Sequence, residues 1–184
     1  VAGTSDTDWA GFTVETVVET TYDDFGRPAN SSQISTDGTT RHSLVQYGYD
    51  EAGRPDCTAL RMNVTSTSTT LPTDVCEGMT ATSGNEDRIS KRYYDQADRV
   101  TEVWAGVDTD YQHQAAEMSY NENGTLAWVE DGKDNRTTYT YDDFDRLART
   151  EFPDPANTST SLYADRQELT YDDMGNVLTI RTRT

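Results

Sequence analysis

The chain has 184 residues, with 33 acidic against 15 basic side chains, a formal net charge of -18. That balance repels nucleic acid and anionic lipid, so neither is expected as a partner. Hydrophobic residues make up 33% of the chain, below the usual ~45–50%, a figure that also counts Gly, and low hydrophobicity with high charge would by itself suggest disorder. The 10% aromatic content argues for a thin sheet with a Tyr- and Thr-rich face instead. No apolar run is long enough to span a bilayer. None reads as a signal peptide, and the start at Val1 reads as a processed product, a fragment or an excised piece.

Residues 1–12 form a polar N-terminal edge segment with Trp9 and Phe12. Residues 13–55 read as hairpins: a strand over 13–22, a turn at 23–26, a strand to about Ser35, a Thr36-Asp37-Gly38 turn, and a strand from about Thr40 to Tyr49. Residues 56–87 break the rhythm and read as an inserted loop. It contains a Ser/Thr run from Thr65 to Thr70 and the chain's two cysteines, Cys57 and Cys76. An even pair of cysteines suggests a disulfide and an oxidising compartment. The alternative is two unrelated small buried residues. Two cysteines with only His42 and His113 elsewhere make no metal site.

The hairpin rhythm resumes over 88–184. Strands are expected at about 92–94, 99–105, 113–120 and 125–130, with a turn over Asp131 to Arg136 and a strand into Tyr141. Residues 153–162 read as a polar loop before a last hairpin ending in Leu178-Thr179-Ile180. Gln112 to Met118 has helix-favouring residues, but seven positions are too few to hold a helix. About twelve short strands and no helix are expected.

One phrase recurs six times: Tyr-Asp, two variable residues, Gly, Arg, then an apolar residue or Pro. The copies begin at Tyr22-Asp23, Tyr49-Asp50, Tyr94-Asp95, Tyr120-Asn121, Tyr141-Asp142 and Tyr171-Asp172. Asp or Asn in the second place can accept a hydrogen bond from an N–H two residues on and pre-form a bend. Gly26, Gly53, Gly124 and Gly175 then supply positive φ, as in a type I turn closed by a left-handed residue. Asp98 and Asp145 stand where the other copies have Gly, a less comfortable choice. The Arg after the turn is expected either to meet a carboxylate on the neighbouring strand or to stay solvated. Residues before the turns alternate, as in Tyr47-Gly48-Tyr49 and Tyr139-Thr140-Tyr141, which marks strands with one buried face.

The phrase and its spacing resemble the YD repeat of the Rhs family, and the run Gly124 to Leu147 matches it best. The resemblance covers the chain apart from the first dozen residues and the cysteine loop. It implies a strip of hairpins that coils into a shell in bacterial Rhs and Tc toxin proteins, or a barrel in teneurins. In the toxins that shell encloses a C-terminal toxin domain. The fold expected is therefore all-β, consecutive antiparallel hairpins in a curved repeat strip. The role implied is a non-enzymatic scaffold, secreted or on a bacterial cell surface. The self-cleaving segment that closes such shells is not recognisable, and Asp154-Pro155 lacks its context.

Catalytic chemistry finds little support. The carboxylate pairs Asp23-Asp24, Asp142-Asp143 and Asp172-Asp173 are adjacent within turns, whereas a glycosidase needs two carboxyls facing each other across a cleft of ~5–10 Å. No nucleophile elbow or phosphate loop occurs, and no cofactor or resident metal is expected. Acidic turns suit calcium in principle, but the EF-hand spacing is absent. Trp9, Trp104 and Trp128 fit a buried sheet face better than a sugar platform. Sequons stand at Asn30, Asn63, Asn135 and Asn157. Two roles follow: a structural scaffold whose partners are neighbouring repeats or copies of the chain, with an encapsulated toxin domain implied by the resemblance, or a module that binds carbohydrate or a cell-surface protein.

Overall fold

The computed structural model describes residues 16–79 and 86–183, and among these it contains twelve strands and no helix. Trp9, Phe12 and the start of the first expected strand, residues 13–15, lie outside the described residues. Two compact units divide at Ile89 and Ser90.

The first unit holds β1 (Thr16–Tyr22), β2 (Pro28–Ser35), β3 (Arg41–Tyr49) and β4 (Pro55–Leu60), each antiparallel to the next. All of strand β4 after Pro55 lies in the stretch 56–87 that the sequence suggested was loop throughout. Its alternation is carried by the small residues Cys57 and Ala59, both fully buried. The insertion therefore starts after Leu60. It folds back so that Val64, with Ile34, Leu44, Cys57, Ala59 and Ile89, makes the buried apolar core of the described residues. The disulfide expected between Cys57 and Cys76 is present, with 5.6 Å between their Cα atoms.

A buried ion pair also holds the insertion. Arg61 Nη1 donates to Asp87 Oδ2 at 2.8 Å, and neither side chain is more than 1% exposed. Arg61 also donates to Gln46 Oε1 and to the carbonyls of Val75 and Glu77. Asp87 in turn accepts from the N–H groups of Met62 and Met79. A buried charge is tolerated only when so many partners satisfy it.

The second unit holds β5 (Arg88–Tyr94, paired from Ser90), β6 (Val100–Ala105), β7 (His113–Tyr120), β8 (Leu126–Asp131), β9 (Arg136–Tyr141), β10 (Leu147–Asp154), β11 (Asn157–Tyr171) and β12 (Val177–Arg183), again with sequence neighbours antiparallel. The helix-favouring residues near Met118 lie in β7, where cross-strand pairing prevails over a weak helical preference. Residues 153–162 are not a loop. Strands β10 and β11 pair through Pro153↔Ser161 and Asp154↔Asn157 across two register shifts. Polar composition hid them, because Thr and Ser suit an exposed pleat as well as a loop.

Register sorts this unit's side chains by face. Val103, Met118, Val129, Tyr139, Leu169 and Ile180 fall on one side. Glu102, Trp104, Glu117, Trp128, Glu130, Arg136, Arg149, Glu151, Arg166 and Glu168 fall on the other. Among the described residues of this unit only Thr150 and Arg166 are buried, so the sheet is a single layer, half-exposed on both sides.

Candidate functional site

The recurring phrase builds one turn, repeated. In the first copy Gly26 N–H donates to the Asp23 carbonyl and Asp23 N–H to the Arg27 carbonyl, both at 2.9 Å. The same pair of bonds closes the turns at Asp50, Asn121, Asp142 and Asp172. Each copy has the same bulge, with Tyr22↔Pro28, Tyr49↔Pro55, Tyr94↔Val100, Tyr120↔Leu126, Tyr141↔Leu147 and Tyr171↔Val177 as the flanking pairs. Asp98 and Asp145 take φ of 62° and 59°, the conformation that Gly26, Gly53, Gly124 and Gly175 take elsewhere. Asp131 to Asp134 is a seventh turn of this kind without the Tyr, with Asp134 at φ 63°.

The aspartates shape these turns. Asp142 Oδ1 accepts from the N–H groups of Phe144 and Arg146, and Oδ2 accepts from Arg146 Nε at 2.8 Å. Asp23 and Asp95 repeat all three bonds. Asp172 repeats the pattern with the Asn176 amide in place of the guanidinium. The arginine therefore pairs within its own turn, and is neither bound to a carboxylate on the neighbouring strand nor left solvated, the two outcomes the sequence had left open. The reason is distance: four residues around a tight bend bring Nε within 2.8 Å of its own aspartate.

These contacts hold the carboxyls below their ordinary range. At Asp142 and Asp50 the guanidinium bond is the chief cause, and at Asp95 the Arg99 N–H. At Asp172 it is the Asn176 amide. At Asp23 desolvation pushes upward but is outweighed by the bonds from Arg27 and Phe25. Asp37 is pulled furthest, to about 2, by the Ser35 hydroxyl and by the N–H and hydroxyl of Thr39.

In four copies the phrase also joins its hairpin to an earlier one, a role sequence reasoning did not anticipate. The Tyr hydroxyl donates backward to a carbonyl just past the preceding turn: Tyr49 to Pro28 at 2.9 Å, Tyr120 to Val100 at 2.8 Å, Tyr141 to Leu126 at 3.0 Å and Tyr171 to Leu147 at 2.7 Å. The preceding arginine lies against the same ring. Arg27, Arg99 and Arg146 stand 4.0, 4.5 and 4.5 Å from the ring centres of Tyr49, Tyr120 and Tyr171. Arg27 also reaches the next turn, where a Cβ on Gly53 would lie 3.2 Å from its Nη1. Tyr, Asp, Gly and Arg are thus one contact set shared by two hairpins. The only sequence signal for this was the fixed distance from Tyr to Arg.

Of the other candidates, Trp104 Nε1 donates to Glu102, and the Trp128 ring is covered by Arg136 at 4.1 Å. Asp56, Cys57 and Cys76 cluster, but the disulfide occupies both sulfurs. Asn63 and Asn157 are exposed, whereas the side-chain amides of Asn30 and Asn135 donate to Thr21 and Asp131. No described helix is long and apolar enough to cross a membrane.

No protein-family profile and no curated protein matches the chain. Among solved structures it is similar to the crystal structure of TcdB2-TccC3, with 15% identity over 91% of this chain and a TM-score of 0.47. It is likewise similar to TcdB2-TccC3-Cdc42 at 16% identity and TM-score 0.47, and to TcdB2-TccC3-TEV at 14% and 0.46. The chain spans about a tenth of the length of those matched chains, between 10% and 12%.

Proposed function

We propose that the chain is a non-catalytic scaffold of the YD-repeat kind, a strip of hairpins that functions as part of a larger β-structure. One observation carries this reading: the residues that define the phrase are engaged in shaping their own turn and fastening the next hairpin. A carboxylate that accepts three bonds and sits below its usual pKa is a poor general acid. The single layer of the second unit supports the same reading, because a repeat buries its faces chiefly against neighbours. Its natural partners are further repeats of the same kind or copies of this chain. An enclosed toxin domain is suggested by the resemblance alone. A disulfide fits secretion or display on a bacterial surface. Glycan adhesion through aromatic residues is the weaker alternative, since Trp128 has an arginine on its ring.

The outer strands offer a test. Val17 and Val18 on β1, and Val177, Leu178 and Ile180 on β12, are exposed. Such edges invite pairing. Light scattering of the isolated chain should give a mass above the 20.6 kDa of one copy, falling toward it when Leu178 and Ile180 are both replaced by Lys. A well-folded, monodisperse monomer at all concentrations would count against the proposal.

A further inference from the structure

Between the inserted loop and the outer strands of the first unit lies a cavity of about 180 Å³, lined in part by Glu19, Asn30, Ser32, Arg41, Leu44 and Leu71. Its volume is roughly ten times what a single water needs, and below the size of a drug-like site. Three described buried side-chain atoms lack a hydrogen bond: Asn30 Oδ1, Arg41 Nε and Arg149 Nε. Arg149 Nε still has the Glu151 carboxylate at 2.9 Å, as an ion pair without hydrogen-bond alignment. The other two belong to residues that line this one cavity.

Neither residue is loosely placed. The Asn30 amide nitrogen donates to Thr21 at 3.0 Å, which fixes the direction of its oxygen. Arg41 Nη1 donates to the Ser66 carbonyl at 3.2 Å, which ties the guanidinium to the loop. A buried donor and acceptor left unpaired are costly unless something else satisfies them. The lining also brings in apolar surface, with Leu44 only 1% and Ile34 6% exposed, beside the hydroxyl of Ser32. Glu19, exposed on β1, supplies a negative charge at the rim.

We infer that this cavity is a binding site for a small free amino acid with an apolar side chain. Arg41 is the only cation among the described lining residues and would take the carboxylate. Asn30 Oδ1 and Glu19 would take the ammonium, and Ile34, Leu44 and Leu71 the side chain. No bond is made or broken. The site is independent of the scaffold reading, because none of its lining residues belongs to a turn phrase.

The experiment is calorimetric titration of the whole chain with L-leucine and L-valine. Controls are 4-methylpentanoate, which lacks the ammonium, and 3-methylbutylamine, which lacks the carboxylate. Saturable binding below about 1 mM is expected, with each truncated analogue weaker by tenfold or more. Glu19→Gln, at an exposed position, should weaken leucine by a similar factor while leaving the circular dichroism unchanged. Ser32→Leu should fill the cavity and abolish binding. No heat up to about 10 mM, equal binding of the truncated analogues, or indifference to Glu19→Gln would each overturn the assignment.

Discussion

Asp142 uses both carboxylate oxygens inside its own turn, and its neighbour Arg146 lies between that carboxylate and the ring of Tyr171. A side chain so engaged shapes the backbone. The consequence for pH has a definite sign. Asp23, Asp50, Asp95, Asp131, Asp142 and Asp172 all hold their protons less tightly in the fold than an ordinary carboxyl does. Their stabilisation is therefore complete above the unfolded value of about 3.9 and is lost as pH falls through the lower folded values. Urea midpoints should be flat from neutral pH down to about pH 5 and should drop steeply below about pH 4. Replacing Asp142 by Asn should lessen that drop. At the left-handed turn position, Gly175 at φ 86° has open space where a Cβ would lie, so conformation alone decides the cost of adding one. Gly175→Ala should lose about 1 kcal/mol, whereas Asp134→Gly, at φ 63°, should lose nothing or gain slightly. Both are read from urea unfolding.

At the scale of the element, the hairpins and the inserted loop depend on different physics. The hairpins are held by turn chemistry, and that was legible: Asp or Asn followed three residues later by Gly or Asp gives each bend of the phrase, and alternation around Tyr47 and Tyr139 gives the strands. The loop is held by Arg61 and Asp87, which no pattern announced, since an Arg and an Asp 26 residues apart look like surface charges. What sets them apart is burial, and burial is a property of the folded chain. Arg61→Ala leaves a carboxylate buried without its counter-ion and should cost about 3–5 kcal/mol. Hydrogen exchange at the amides of Met62 and Met79, which donate to Asp87, should speed up by orders of magnitude. Reducing Cys57–Cys76, which closes a span of 19 positions, should cost about 3 kcal/mol in the chain-entropy picture. Amides that speed up only on reduction, and not in Arg61→Ala, would show that the disulfide alone holds the loop. The missed strands around Pro153 and Ser161 have the same origin as the missed ion pair: only pairing across the sheet distinguishes a Ser/Thr-rich strand from a Ser/Thr-rich loop.

Across the whole molecule, one contact set recurs in both units. Its tyrosine reaches back, its arginine reaches forward, and its aspartate holds the arginine in place. This explains how a chain that is only 33% hydrophobic can order so many strands: much of the adhesion between hairpins is aromatic, cationic and hydrogen-bonded. The decisive measurement is a double-mutant cycle on arginine and tyrosine at three places: Arg27→Ala with Tyr49→Leu, Arg99→Ala with Tyr120→Leu, and Arg146→Ala with Tyr171→Leu. If the phrase fastens successive hairpins, each pair should couple by about 1 kcal/mol in urea unfolding, similarly at all three. Additive losses at all three, with coupling near zero, would show that the phrase only bends the chain and that the hairpins are held together by something else.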